Sequence, residues 1–172
     1  MRYIAFIRNV MVGRQGLDRE TLISCFADAG ARNPRSHLAT GNVSFEADER
    51  EVAKLQESVE CAIASVIGRS ESVILRTQAQ LVDLVAAEPF AEYAGQDLAL
   101  EITFSDERNR GLDATRFAEV AGLQVVECRE FELLTAQPRD ARVRHPLPIV
   151  ERLSGGRATT RALSTVIRLA NA

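Results

Sequence analysis

Tyr3-Ile4-Ala5-Phe6-Ile7-Arg8-Asn9-Val10-Met11-Val12-Gly13-Arg14-Gln15-Gly16 is the stretch on which the reading of the fold turns. Residues 4–7 are continuously apolar with Tyr3 beside them, the pattern of a strand covered on both faces. The run passes without a break into Arg8 and Asn9. A loop punctuated by Gly13 and Gly16 then leads to a first helix, expected over residues 19–29. Asp18 is placed to cap it, Leu22, Cys25, Phe26 and Ala29 recur at helical spacing, and Gly30 is a natural stop. Pro34 excludes a continuing helix, so a short strand is expected over 35–39. Thr40-Gly41-Asn42 reads as a turn, after which Val43 and Phe45 alternate with Ser44 and Glu46 in a half-exposed strand.

Asp48 and Glu51 form an acid-type capping box for a helix running to Ile67. That helix should bury Val52, Leu55, Val59, Ala62 and Val66 on one face and end at Gly68, before a strand over 72–76. The order β-α-β-β-α-β is that of the ferredoxin-like unit. Beyond it, Thr77 and Gln80 form another capping box, opening a helix over 78–87 that Pro89 terminates. Further expectations are a strand over 98–104, a short helix over 113–121 capped by Asp113, and strands over 123–128 and 130–134. After a polar, basic stretch over 137–145, a helix over 146–153 carries Pro148 in its first turn and is broken by Gly155-Gly156. Thr159 or Thr160 is then expected to cap a last helix through Leu169. The second half so read is βαββα, without a closing strand and without a residue pattern matching the first. The fold expected is α+β, with two related ferredoxin-like halves, 1–76 and 77–172, intertwined and sharing a core.

Composition narrows the classes open to the chain. A protein of 172 residues suits one large domain or two small halves, and hydrophobic residues at 46% with charged residues at 26% are globular values. With 21 basic and 24 acidic residues the net charge is −3, which argues against a general nucleic-acid binder. An RNA-binding sheet would also need exposed stacking aromatics, whereas Tyr3, Phe6 and Phe45 read as core. Cys25, Cys61 and Cys128 are far apart, without CxxC spacing, and read as reduced packing residues. His37 and His145 are not spaced as a metal pair, so no metal or cofactor is expected. No apolar run is long enough to span a membrane and no signal-peptide pattern opens the chain, so a cytoplasmic address is expected.

Four segments carry a resemblance to a known family. Arg8-Asn9-Val10-Met11-Val12-Gly13-Arg14 is similar to Arg-Gly-Ile-Asn-Val-Gly-Gly, and Thr40-Gly41-Asn42-Val43 to Ser-Gly-Asn-Val. Glu88-Pro89-Phe90 is similar to Asn-Pro-Phe, and the segment from Thr159-Thr160-Arg161 to Val166 to Thr-Thr-Arg-Asn-Trp-Asn-Thr-Val. These are motifs of the DUF1697 family, small bacterial proteins of unknown function, and the chain resembles that family over nearly its whole length. The resemblance implies two related, intertwined α+β halves. Asn9, Met11, Arg14, Ala162, Leu163 and Ser164 depart from the family pattern, and the arginine-rich 139–145 replaces a glycine-rich stretch.

The site residues that the sequence singles out are Arg8 and Asn9 at the strand end, Thr40, Gly41 and Asn42 in the turn, and Thr159, Thr160 and Arg161. Arginine suits bidentate recognition of phosphate or carboxylate, against the alternative of a structural ion pair. Asn42 in a turn equally bonds its own backbone. At a helix start, Thr159 to Arg161 would offer an anion free N–H groups and a positive dipole end, or would simply cap. Gly155-Gly156 would let a ligand approach the backbone, and Arg139, Arg142, Arg144 and His145 form a small basic run. The function so read is non-enzymatic binding of a small anionic ligand or acidic partner. The alternatives are a transferase or hydrolase acting on a phosphorylated metabolite, and a protein assembly module of open oligomeric state.

Overall fold

The computed structural model describes residues 1–108, 115, 124–139 and 146–172. The expected helix over 113–121, and the basic run beyond Arg139, lie outside the described residues. Contacts divide the chain into two units: residues 1–80 with Ala172, and residues 81–171. The architecture is mixed α+β, with two four-stranded antiparallel sheets and five α-helices among the described residues.

The first unit runs β1 (Arg2–Ile7), α1 (Arg19–Asp28), β2 (Arg32–His37), β3 (Asn42–Glu46), α2 (Val52–Ile67) and β4 (Val73–Thr77), with sheet order β2-β3-β1-β4. Placing the apolar β1 at the centre accounts for its composition: Ile4, Ala5 and Phe6 are fully buried. Tyr3, Ala5 and Ile7 join one core cluster with Leu22, Phe26, Phe45, Leu55, Val59 and Ile63. Asp18 caps α1 as expected, its carboxylate accepting from the Thr21 N–H at 2.7 Å, and Gly68 ends α2 in the left-handed conformation.

Several local expectations are corrected. Strand β2 starts at Arg32 and runs through Pro34, because it is an outer strand and its pairing with β3 shifts register between Arg32 and Arg35. A proline is tolerated at such a place, where no ladder hydrogen bond is asked of it. No side-chain cap forms at Glu51; the Asp48 carbonyl accepts from the N–H groups of Glu51 and Val52, and the Asp48 carboxylate pairs with Arg32 at 3.4 Å. On α2 the buried stripe is Leu55, Val59 and Ile63, whereas Val66 is 36% exposed and Cys61 is exposed. Val66 shares their helical face but stands in the last turn of α2, one residue before its end. Ile63→Ala is therefore expected to cost about 2–5 kcal/mol and Val66→Ala under about 0.5, read from urea midpoints at constant slope.

The Thr77–Gln80 capping box is present and reciprocal, with Thr77 N–H donating to Gln80 Oε1 at 2.8 Å and Gln80 N–H to Thr77 Oγ1 at 3.1 Å. It opens α3 (Gln78–Ala86). The second unit continues with a 3₁₀ turn (Ala91–Tyr93), β5 (Leu98–Ser105), β6 (Val125–Cys128), β7 (Glu132–Pro138), α4 (Pro146–Ser154), β8 (Ala158–Ala162) and α5 (Leu163–Ala170). Leu133, Ile149, Val150 and Ala158 form a core cluster within it. Strand β7 continues to Pro138, beyond the expected 134, because its residues through 138 pair with β5.

The larger correction concerns 158–162. Thr159, Thr160 and Arg161 are not at a helix start; they form strand β8, in register with residues 101–105 of β5. Threonine serves both as cap and as β-former, and pairing with β5 selects the second use. The final helix begins at Leu163, and Ala162 at its N-cap makes no side-chain bond. A closing strand therefore exists, and the second sheet has the order β6-β7-β5-β8. The residue match between halves that was not expected then appears. Ile4 pairs with Arg76 in one sheet and Ile102 with Arg161 in the other, so Ile4-Ala5-Phe6 corresponds to Ile102-Thr103-Phe104.

Candidate functional site

At the end of β1, five of the chosen residues come together. The Ile7 N–H donates to the Gly41 carbonyl at 2.8 Å, and Val12 N–H to the Ala39 carbonyl at 2.8 Å, so the loop after β1 lies on the turn before β3. Gly41 has φ +67, and a Cβ there would overlap Val10 Cγ2 and come within 3.3 Å of Ile7 Cβ. Asn42 is fully buried; its amide donates to the His37 carbonyl at 3.2 Å and to Thr40 Oγ1 at 3.0 Å. His37 Nε2 in turn lies 2.8 Å from Ser44 Oγ. Asn9 takes a positive φ of 49°, which asparagine tolerates better than most residues.

Arg8 is held by a residue that sequence reasoning missed. Its guanidinium lies 3.2 Å from Glu71 Oε2, while Arg69 Nε lies 2.8 Å from Glu71 Oε1. Arg69 also donates to Gln15 Oε1 at 2.7 Å and to the Asn9 carbonyl at 2.8 Å. Glu71 has only 6% of its side chain exposed, against 18% for Arg8 and 39% for Arg69. Two guanidiniums thus converge on one buried carboxylate. The available signal was Arg69-Ser70-Glu71 directly after the helix-ending Gly68, a charge pair at a strand entry.

Thr159, Thr160 and Arg161 lie in the other unit and are occupied within strand β8. Thr160 Oγ1 is 2.8 Å from Thr103 Oγ1, and Arg161 donates to Thr159 Oγ1 at 2.6 Å and to the Thr160 carbonyl at 2.9 Å. Burial pushes the Arg161 guanidinium down to about 10, still charged at neutral pH. Arg76, at the equivalent position of β4, likewise donates to the carbonyl of the residue before it, Leu75, at 2.7 Å. The internal repeat is readable, in retrospect, as an arginine one residue before the end of each closing strand.

The equivalent of the Arg8 end in the second unit has the opposite charge. Arg8 N–H donates to the Ser72 carbonyl at 2.9 Å, and Asp106 N–H to the Arg157 carbonyl at 3.1 Å, so Asp106-Glu107 stands where Arg8-Asn9 stands. Asp106 Oδ1 accepts from the Arg157 N–H at 2.7 Å and Glu151 Oε1 from the Ala158 N–H at 3.0 Å. The space that Gly156 leaves open is taken by Asp106 and by Glu107, whose Cβ would be 2.6 Å from an added methyl. Gly156 therefore admits the Asp106 carboxylate and the Glu107 side chain at close range, whereas an added Cβ at Gly155 would meet nothing within 4 Å. Arg139, the described end of the basic run, lies 3.1 Å from Asp97.

Among the described residues no cluster of three or more His, Cys, Asp or Glu is placed to hold a metal ion, and no helix is long and apolar enough to cross a membrane. Cys25 is buried, and burial raises its thiol pKa; Cys128 is half-buried.

A family model described as "Protein of unknown function (DUF1697)" matches residues 1–131, and the chain belongs to that family. The matched residues cover the whole Arg8–Glu71 cluster and stop short of β8. No curated protein matches the chain. A solved structure, the conserved bacterial protein SP0830 from Streptococcus pneumoniae, is similar to it with a TM-score of 0.70 at 14% identity, over 99% of this chain and 96% of that one. At that identity the likeness is one of fold.

Proposed function

We propose that the protein binds a small oxyanion, carboxylate or phosphate, without turning it over, at the β1 end of the first unit. Arg8, Asn9, Thr40, Gly41 and Asn42 belong to this site, joined by Arg69. The observation that carries the reading is the pair of guanidiniums gathered on Glu71, one of them 39% exposed. The buried carboxylate orients both arginines, and the partly exposed Arg69 guanidinium, with five N–H groups, has more than the three it gives to Glu71, Gln15 and Asn9. Thr159, Thr160 and Arg161 serve the closing strand in this reading. Each unit is read as ferredoxin-like, since an order such as β2-β3-β1-β4 is that of a split β-α-β arrangement, with the halves dividing near residues 76–80. A cytoplasmic address goes with it.

Thermal melts with and without phosphate, at fixed ionic strength, test the proposal. Phosphate should raise the melting temperature of the unaltered protein by mass action. Arg69→Gln should lose that increment and, being partly exposed, should change stability in plain buffer little. Glu71→Gln should do the opposite: a lower melting temperature without phosphate and a larger phosphate increment, because the carboxylate no longer competes with the ligand for the two guanidiniums. An increment equal in all three proteins would remove the site from this cluster.

A further inference from the structure

The second unit holds a cleft of about 440 Å³ between α3, the 3₁₀ turn, β5 and α5. That volume falls within the range of about 300–1,000 Å³ usual for small-molecule sites. Its walls are Val85, Phe90, Leu100, Leu163 and Ile167, with alanines between them. Phe90 is buried, whereas Ile167 is 40% exposed, on a helix whose buried residues are Val166, Leu169 and Ala170.

Among the described residues Glu88 is the one ionisable residue lining this cleft. Its φ is +46, a left-handed conformation in which glycine or asparagine is the common occupant after a helix end. Pro89 contributes to it by disfavouring the right-handed helical region for the residue before it. The backbone of Glu88 is fixed on both sides, its N–H donating to the Val85 carbonyl at 3.0 Å and its carbonyl accepting from Ala91 at 3.0 Å. The carboxylate itself makes no ion pair or hydrogen bond among the described residues.

We infer that this cleft is a binding site for a small hydrophobic amine, with its apolar body against Phe90, Leu100 and Leu163 and its ammonium group on Glu88. Apolar walls with a single negative group favour a cation that carries its own hydrophobic surface and disfavour an anion of the same shape. The inference is independent of the oxyanion site, which lies in the other unit.

Calorimetric titration with 2-phenylethylammonium, 2-phenylethanol and 3-phenylpropanoate tests it, since the three share a body and differ in charge. The ammonium should bind about fivefold more tightly than the alcohol, the scale of one partly exposed ion pair, and the carboxylate should not bind. Glu88→Gln should bring the ammonium down to the affinity of the alcohol. Glu88→Asn, a residue suited to the left-handed backbone, should do the same and guards against a folding defect in the first variant. Ile167→Trp should fill the cleft and abolish binding of both, with an unchanged circular dichroism spectrum. Equal affinity for all three probes, a preference that survives loss of the Glu88 charge, or no saturation at millimolar concentration would each overturn the inference. So would concentration-dependent dimerisation lost in Ile167→Trp, which would make the cleft a self-association surface.

Discussion

Replacing Phe45 by alanine is expected to lower the free energy of unfolding by about 3–5 kcal/mol, the range for deleting a buried phenylalanine. Phe45 is 1% exposed and lies on β3 opposite Tyr3. Its ring stacks on Tyr3 with centroids 5.6 Å apart and meets Phe26 of α1 at 5.3 Å, tilted by 52°. One side chain therefore ties the central strand pair to the first helix. The cavity left behind would be bordered by the rings of Tyr3 and Phe26, on a strand and a helix whose backbones are hydrogen-bonded, so little relaxation is available to refill it. Urea unfolding followed by circular dichroism reads the change as a shift in midpoint at constant slope. A loss under about 1 kcal/mol would mean that the aromatic cluster is not packed as described.

Gly41→Ala should cost about 2–4 kcal/mol, from two additive causes. The backbone at φ +67 disfavours any L side chain, and the new methyl would overlap Val10 Cγ2 while standing 3.3 Å from both Ile7 Cβ and the Ile7 carbonyl oxygen. Valine has few rotamers to yield with, and Val10 is 9% exposed. The same substitution at Gly30, where an added Cβ meets nothing within 4 Å, isolates the backbone cause. Gly30→Ala should cost about 1–2 kcal/mol, and the difference between the two variants measures the close approach of the turn to the loop after β1. Equal losses would show that the loop moves aside freely, and with it the Arg8 end of the strand.

What the sequence disclosed depended on whether a local signal had a rival. The strand at 4–7, the Asp18 cap, the Gly68 stop and the Thr77–Gln80 box each follow from chemistry complete within a few residues, and each is present. Thr159 and Thr160 sent an ambiguous signal, because threonine suits a cap and a strand about equally; the deciding partner, β5, is more than fifty residues away. Missing that strand hid the second sheet's closing edge and, with it, the correspondence of Arg76 and Arg161. Pro34 misled in the same manner, since a proline rules out a central strand but not an outer, irregular one. The Arg8 side chain was rightly placed at a strand end, with an ion pair as one of its two readings. Its partner Glu71 lies 63 positions further on, and no spacing rule connects them.

The two register shifts, at Arg32/Arg35 in β2 and at Val125/Glu127 in β6, fall on corresponding outer strands of the two sheets. An outer strand is a template: its free N–H and C=O groups will accept a strand from any neighbouring molecule. Here the segment most prone to cross-β stacking, the apolar 4–7 run, is given two neighbours within its sheet, while β2, with two exposed arginines and a proline lacking an N–H, takes the outside. The interruption on β2 breaks the even row of donors and acceptors that an incoming strand would need. On the β2 side, strand order and Pro34 thus guard against pairing with a second molecule, and a Pro34→Val change, silent for the core, is expected to show first as fibril growth.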